Sequence, residues 1–133
     1  MPTATAERFM NALHQSEQRR DPAPLVELFG EQSELENLTS KSPAKGKDGA
    51  REFWQHYLDS FERVESKFTH TIEADGGAVL EWVSEGALPD GRPIRYRGVS
   101  VLELDGDRVR KFRTYYDSAA FVAPAAEAEP ARR

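Results

Sequence analysis

Residues 90–121 read DGRPIRYRGVSVLELDGDRVRKFRTYYDSAAF, and the way this stretch pairs with itself decides the fold. Two runs rich in β-branched and aromatic residues, Ile94 to Leu104 and Val109 to Tyr116, flank Asp105-Gly106. Asp-Gly supplies the positive φ angles that a two-residue hairpin turn demands, so the runs are expected to lie antiparallel. Two more runs lead into them, Glu65 to Ala74 and Ala78 to Leu88, separated by Asp75-Gly76 and Asp90-Gly91; the Asp-Gly pairs recur every fifteen residues. The strands between them do not resemble one another, which makes this a meander of three hairpins and not a repeat array. After Tyr115-Tyr116-Asp117 comes Ser118-Ala119-Ala120-Phe121, where Asp117 can cap a short helix that folds Phe121 back over the sheet.

Upstream the period changes from two to that of a helix. From Thr5 to Arg20, Ala6, Phe9, Met10 and Leu13 form an apolar stripe that leaves Glu7, Arg8, Gln15 and Glu17 for solvent. Asp21-Pro22 reads as the cap and first residue of a short helix through Leu25, Val26, Leu28 and Phe29, stopping at Gly30. Ser33 to Thr39 is a strand candidate, and Ser40 to Lys47 a loop broken by Pro43 and Gly46. A second, more aromatic stripe runs from Asp48 to Glu62 through Ala50, Phe53, Trp54, Tyr57, Leu58 and Phe61. Helices first and a meander afterwards predict an α+β domain over residues 1–122. The tail at 123–133, APAAEAEPARR, has no apolar period and is expected to be disordered.

Composition narrows the function classes. The 133 residues suffice for one core and need no second domain. A net charge of −5 gives no basic footprint for nucleic acid, and no apolar run approaches the ~20 residues of a membrane span. The first ten residues lack a basic segment followed by an apolar one, and there are no cysteines; both fit the cytoplasm. Three scattered histidines without His-x-His or His-x-x-x-His spacing argue against a metal site, and the lack of a Gly-rich phosphate loop argues against a nucleotide cofactor.

The hairpin at 90–121, with its aromatic-aromatic-Asp ending and lid residue, resembles the final hairpin of SnoaL-like proteins. These belong to the nuclear-transport-factor-2-like superfamily, with ketosteroid isomerases, limonene epoxide hydrolases and polyketide cyclases. The resemblance implies a cone-shaped, cystatin-like fold, with N-terminal helices packed on a curved antiparallel sheet and a ligand cavity at the mouth. It also implies a cofactor-free enzyme performing isomerisation, cyclisation or hydration on an apolar, cyclic substrate. The alternatives are a non-catalytic small-molecule-binding or accessory protein of the same fold, and a purely structural dimerisation module.

Counting outward from the Asp-Gly turns sets His70 opposite Glu81, Val83 opposite Gly98 and Glu85 opposite Tyr96. One sheet face then carries Phe68, His70, Glu81, Glu85, Tyr96 and Ser100, as a cavity would. The other carries Trp82, Val99 and Val101 among Arg95 and Arg97, as a homodimer interface would. On the last strand strict pairing turns Tyr115 and Asp117 inward, whereas a one-residue bulge at Asp105-Gly106-Asp107 turns Phe112, Thr114 and Tyr116 inward; the bulge is favoured because it buries Phe112.

The candidate catalytic residues are therefore Asp117, Glu81 and His70. Asp117 approximately matches the acidic residue of polyketide cyclases, against its reading as a helix cap. Glu81 would titrate high if buried, and His70 beside it forms a base with its orienter. The candidate substrate-binding residues are Asn37, Tyr57, Glu85, Tyr96, Thr114, Tyr116 and Phe121. Asn37 aligns with the Asn of the hydrolases' Tyr-x-Asn motif; Leu35 stands at the tyrosine position, and Thr114, Glu81 and Val83 replace other catalytic groups of that family, which departs from epoxide hydrolysis.

Overall fold

A computed structural model describes residues 4–122. The expected tail beyond Val122 lies outside these residues. Helix α1 (Ala4–Arg19) buries Ala6, Phe9, Ala12 and Leu13 at helical spacing. It also buries Ser16 and Glu17, so Glu17 does not face solvent as its charge had suggested. The Asp21 side chain accepts from the Ala23 N–H at 3.0 Å and opens the four-residue α2 (Ala23–Val26). This helix is shorter than expected. Phe29 leaves it to begin strand β1 (Phe29–Asn37), where it pairs with Val109. The Ser33 hydroxyl accepts from Gly30 N–H at 2.9 Å and donates to the Val109 carbonyl at 2.6 Å, bridging the register shift between Phe29 and Glu34.

The predicted loop contains a two-residue strand, β2 (Ala44–Lys45), paired with Leu35 and Glu34. Helix α3 (Gly46–Asp59) then buries Ala50, Trp54 and Leu58. It ends before Phe61, whose ring nevertheless stays in the core. Strands β3 (Arg63–Ala74), β4 (Gly77–Ala87), β5 (Pro93–Asp105) and β6 (Arg108–Tyr116) are antiparallel neighbours, as the three-hairpin reading requires. The sheet order is β2-β1-β6-β5-β4-β3, with β1 parallel to β6. A 3-10 turn (Ser118–Phe121) follows, with Asp117 accepting from the Ala119 N–H.

Two bulges and one loop decide which side chains face the helices. The expected bulge on β6 falls not at Asp105-Gly106-Asp107 but past the turn, where the register shifts between Glu103 and Leu104 and leaves Arg110 as the extra residue; Phe112 is buried, and Thr114 and Tyr116 share its face. In β3, Phe68 opposes Trp82 and His70 opposes Glu81, leaving Thr69 as the extra residue. The expected His70–Glu81 pairing is present, but the bulge puts it on the face opposite to that of Phe68. Between β4 and β5, the Leu88–Arg92 connection closes with Leu88 N–H bonding to the Arg92 carbonyl, and Glu85 opposes Arg95 instead of Tyr96. Inward positions on β4 are thus Leu80, Trp82 and Ser84, the reverse of the simple count.

The interior consists of two adjoining clusters. Phe9, Phe29, Leu35, Trp54, Leu80, Leu102, Val109 and Phe112 fill the narrow end. Phe61, Val64, Trp82, Leu88, Ile94 and Tyr96 lie toward the mouth, with Tyr116 and Phe121 packed against them.

Candidate functional site

Between the helices and the inner sheet face lies a cavity of about 380 Å³. Phe9, Phe53, Trp54, Phe61 and Phe112 supply rings to its walls, and both tryptophans of the chain, Trp54 and Trp82, line it. Phe121, carried by the 3-10 turn, packs against Tyr96 with ring centroids 4.8 Å apart and belongs to the lining. Asn37, Thr39, Ser40, Glu52 and His56 also belong to the lining.

On β3 to β6 the inward polar groups besides the Trp82 indole N–H are hydroxyls, set in a row by strand register. Ser66 opposes Ser84, Ser84 opposes Tyr96, and Ser100 opposes Thr114. Ser66 and Ser84 hydroxyls stand 2.7 Å apart, and those of Ser100 and Thr114 3.0 Å apart. The Trp82 indole N–H donates to the Ser100 hydroxyl at 3.0 Å. Trp82 lies across Gly98, where an added Cβ would run into the Tyr115 carbonyl oxygen of the neighbouring strand and come within 2.7 Å of the indole ring. Gly98→Ala is therefore expected to displace both β6 and Trp82 and cost about 1–3 kcal/mol, read as a lower urea midpoint and a changed indole environment.

Behind this row sits a buried carboxylate. Glu17 Oε1 accepts from the Ser66 N–H at 2.8 Å; Oε2 accepts from the Ser66 and Tyr57 hydroxyls, both at 2.6 Å. His14, one turn earlier, donates from Nε2 to the Ser66 carbonyl at 2.9 Å. Ser66 lies on an end strand of the sheet, and these two side chains satisfy backbone groups that no further strand covers. Burial raises the Glu17 pKa above its ordinary 4.5, with the Ser66 and Tyr57 hydrogen bonds opposing the rise. Burial, and then the Glu17 charge, push the Tyr57 hydroxyl far up; burial also raises Tyr96 and Tyr116. These phenols stay protonated.

Of the residues singled out from sequence, Asn37, Tyr57, Tyr96, Thr114, Tyr116 and Phe121 line the cavity. His70, Glu81 and Glu85 do not. The Thr69 bulge and the loop at 88–92 turn them to the outer face, where His70 Nδ1 lies 2.9 Å from Glu81 Oε1 with side chains 74% and 58% exposed. Glu85 pairs there with Arg95 at 3.0 Å. Asp117 is exposed and serves as the cap of the final turn. The Asn37 side chain accepts from the Thr39 N–H at 2.8 Å and hydroxyl at 2.9 Å, holding the turn after β1 at the rim. Sequence reasoning missed Glu17, Ser66 and Ser84. A signal existed for the first: Phe9, Leu13 and Glu17 follow one another at i, i+4, i+8, so Glu17 prolongs the apolar stripe.

A curved sheet closed on one side by helices, with its cavity at the wide end, is the architecture of nuclear-transport-factor-2-like proteins. An NTF2-like protein from Anabaena variabilis superposes with a TM-score of 0.80 at 18% identity, over 90% of this chain and 96% of that one. The crystal structure of TerC co-crystallized with polyporic acid gives 0.75 at 15% identity, over 90% and 95%. A phenazine biosynthesis-related protein from Pseudomonas aeruginosa gives 0.66 at 19% identity, over 86% and 82%. No curated protein matches the chain. Residues 6–112 match the SnoaL-like domain model, and the chain belongs to that family.

Among the described residues no group of three or more His, Cys, Asp or Glu side chains is arranged to hold a metal ion. No described helix is long and apolar enough to cross a membrane.

Proposed function

We propose that this chain is a cofactor-free SnoaL-like protein that takes a neutral, apolar, cyclic molecule into the cone cavity and performs acid-base chemistry on it. The reaction class is isomerisation, cyclisation or hydration. The observation that carries this reading is the composition of the cavity: aromatic walls, with a row of hydroxyls, the Trp82 indole N–H and the rim amide of Asn37 as polar groups on the sheet side. Such a lining buries an apolar ligand while a few hydroxyls orient its oxygens. Tyr96, Thr114, Tyr116, Tyr57 and Asn37 are the proposed ligand contacts, with Phe121 as lid. The co-crystallized molecule of TerC and the phenazine connection of another neighbour are in keeping with a small-molecule role. A binding protein without chemistry is the second reading, favoured by the outward placement of His70 and Glu81.

Thermal shift with paired probes tests the cavity reading. Neutral hydroxy- and keto-substituted bicyclic aromatics are expected to raise Tm more than their carboxylate analogues do, because the described lining holds no lysine or arginine for an incoming anion and includes the Glu52 carboxyl. Equal response to both members of each pair would contradict it.

We place the protein in the cytoplasm and propose that it pairs with a second copy through the outer sheet face. Trp82 belongs to the interior and leaves that patch, which consists of Val79, Val83, Val99, Val101 and the 46%-exposed Tyr115 among Arg95, Arg97 and Glu81. Sedimentation is expected to find a dimer at micromolar concentration and a monomer for Val101→Lys; a wild-type monomer would refute the pairing.

A further inference from the structure

The buried carboxylate on α1 touches the cavity only through other side chains, and its partners reveal what it does there. Glu17 Oε2 accepts from two hydroxyls, those of Tyr57 and Ser66, and the Ser66 hydroxyl is itself 2.7 Å from that of Ser84. Ser84 in turn stands opposite Tyr96 on the next strand. Tyr57, Ser66, Ser84 and Tyr96 all line the cavity, while Glu17 stands behind them.

A carboxylate is an acceptor only, whereas a hydroxyl donates one proton and accepts with two lone pairs. Ionised Glu17 therefore commits the Tyr57 and Ser66 protons to itself, and Ser66 then accepts from Ser84. The oxygen lone pairs of this wall are left for the cavity. Protonated Glu17 donates to one of its partners instead and frees a hydroxyl to point its own proton inward.

We propose that Glu17 is a positioning residue that sets the hydrogen-bond polarity of the cavity wall, so that its carboxylate form selects ligands carrying a hydroxyl donor, a phenol or an enol. This rests on the cavity being a small-molecule site. In an acid-base reaction the same chain carries a proton: the ligand O–H passes its proton to the Tyr57 oxygen as the Tyr57 proton moves to Glu17 Oε2. The products are a ligand oxyanion and a neutral Glu17, and reversal returns the proton without oxidant or reductant. The groups facing Glu17 are His14 from its own helix, Tyr57 from α3, Ser66 from β3 and, at longer range, Tyr96 from β5.

The test compares β-naphthol with its methyl ether, a pair differing in the donor. On the alkaline side of the Glu17 titration the full chain is expected to bind β-naphthol about tenfold more tightly, the worth of a charge-assisted hydrogen bond. In Glu17→Gln the amide donates to Tyr57 or Ser66, and the preference is expected to fall to about threefold or less. Equal discrimination by both proteins overturns the role of Glu17 and leaves the cavity reading standing. Saturable binding of neither probe to the wild type overturns both. Should Glu17→Gln not fold, carbon NMR titration of the Glu17 carboxyl in the unaltered protein decides. Its midpoint is expected lower with β-naphthol bound than with the ether, and equal midpoints overturn the inference.

Discussion

Trp54→Ala is expected to lower the unfolding free energy by about 3–5 kcal/mol, a large share of the roughly 5–15 kcal/mol that holds a domain of this size together. The indole is 3% exposed and meets the rings of Phe9, Phe29, Phe53, Tyr57 and Phe112 at centroid distances of 5.0–6.4 Å. It thereby joins α3 to α1, β1 and β6 at the point where the cone narrows. Removing it leaves a hole continuous with the ligand cavity, bordered by large rings that cannot all move inward. Urea denaturation should show the midpoint falling with little change in slope. A loss below about 1 kcal/mol would mean that the wall recloses and that the cavity is not held open by this cluster.

Glu17→Ala is expected to cost about 3 kcal/mol or more, because it strands the Ser66 N–H and the Ser66 and Tyr57 hydroxyls in a buried place. Glu17→Gln keeps an acceptor for Ser66 N–H and should cost far less. The two proteins also differ in pH dependence. The folded-state pKa of Glu17 lies above its ordinary 4.5, so the fold holds this proton more tightly than the unfolded chain does. Its contribution is complete below 4.5 and is lost as pH rises through the folded-state value. The wild type should therefore lose stability relative to Glu17→Gln as pH increases across that window. A gap in Tm that stays constant with pH would show that Glu17 titrates as an ordinary surface carboxyl.

The elements of the fold were legible because each rests on a local signal: Asp-Gly for the hairpins, stripes at 3.6-residue spacing for α1 and α3, Asp21-Pro22 for the start of α2. The inward set on β6 was legible too, since burying Phe112 required a bulge. The site was less so. Pairing His70 with Glu81 follows from the turn at Asp75-Gly76, but which face the pair occupies depends on Thr69, and nothing in Phe68-Thr69-His70 announces an extra residue. The loop at 88–92 had the same effect on Glu85: a longer closure than Asp90-Gly91 alone implies moves β4 by one position and substitutes Ser84 for the carboxylate. Glu17 was hidden for a different reason. Its charge argued for solvent, while its burial depends on Tyr57 and Ser66, 40 and 49 residues away in sequence.

The two indole N–H signals offer the most direct measurement, because Trp54 and Trp82 are the only tryptophans of the chain and both line the cavity. In a proton-nitrogen correlation spectrum, titration with β-naphthol is expected to move both indole signals along one saturable curve, while the amides of Val99 and Val101 at the strand centre move little. Shifts confined to outer-face residues such as Tyr115 and Ile72, with both indoles unmoved, would contradict the assignment of the cone cavity as the ligand site.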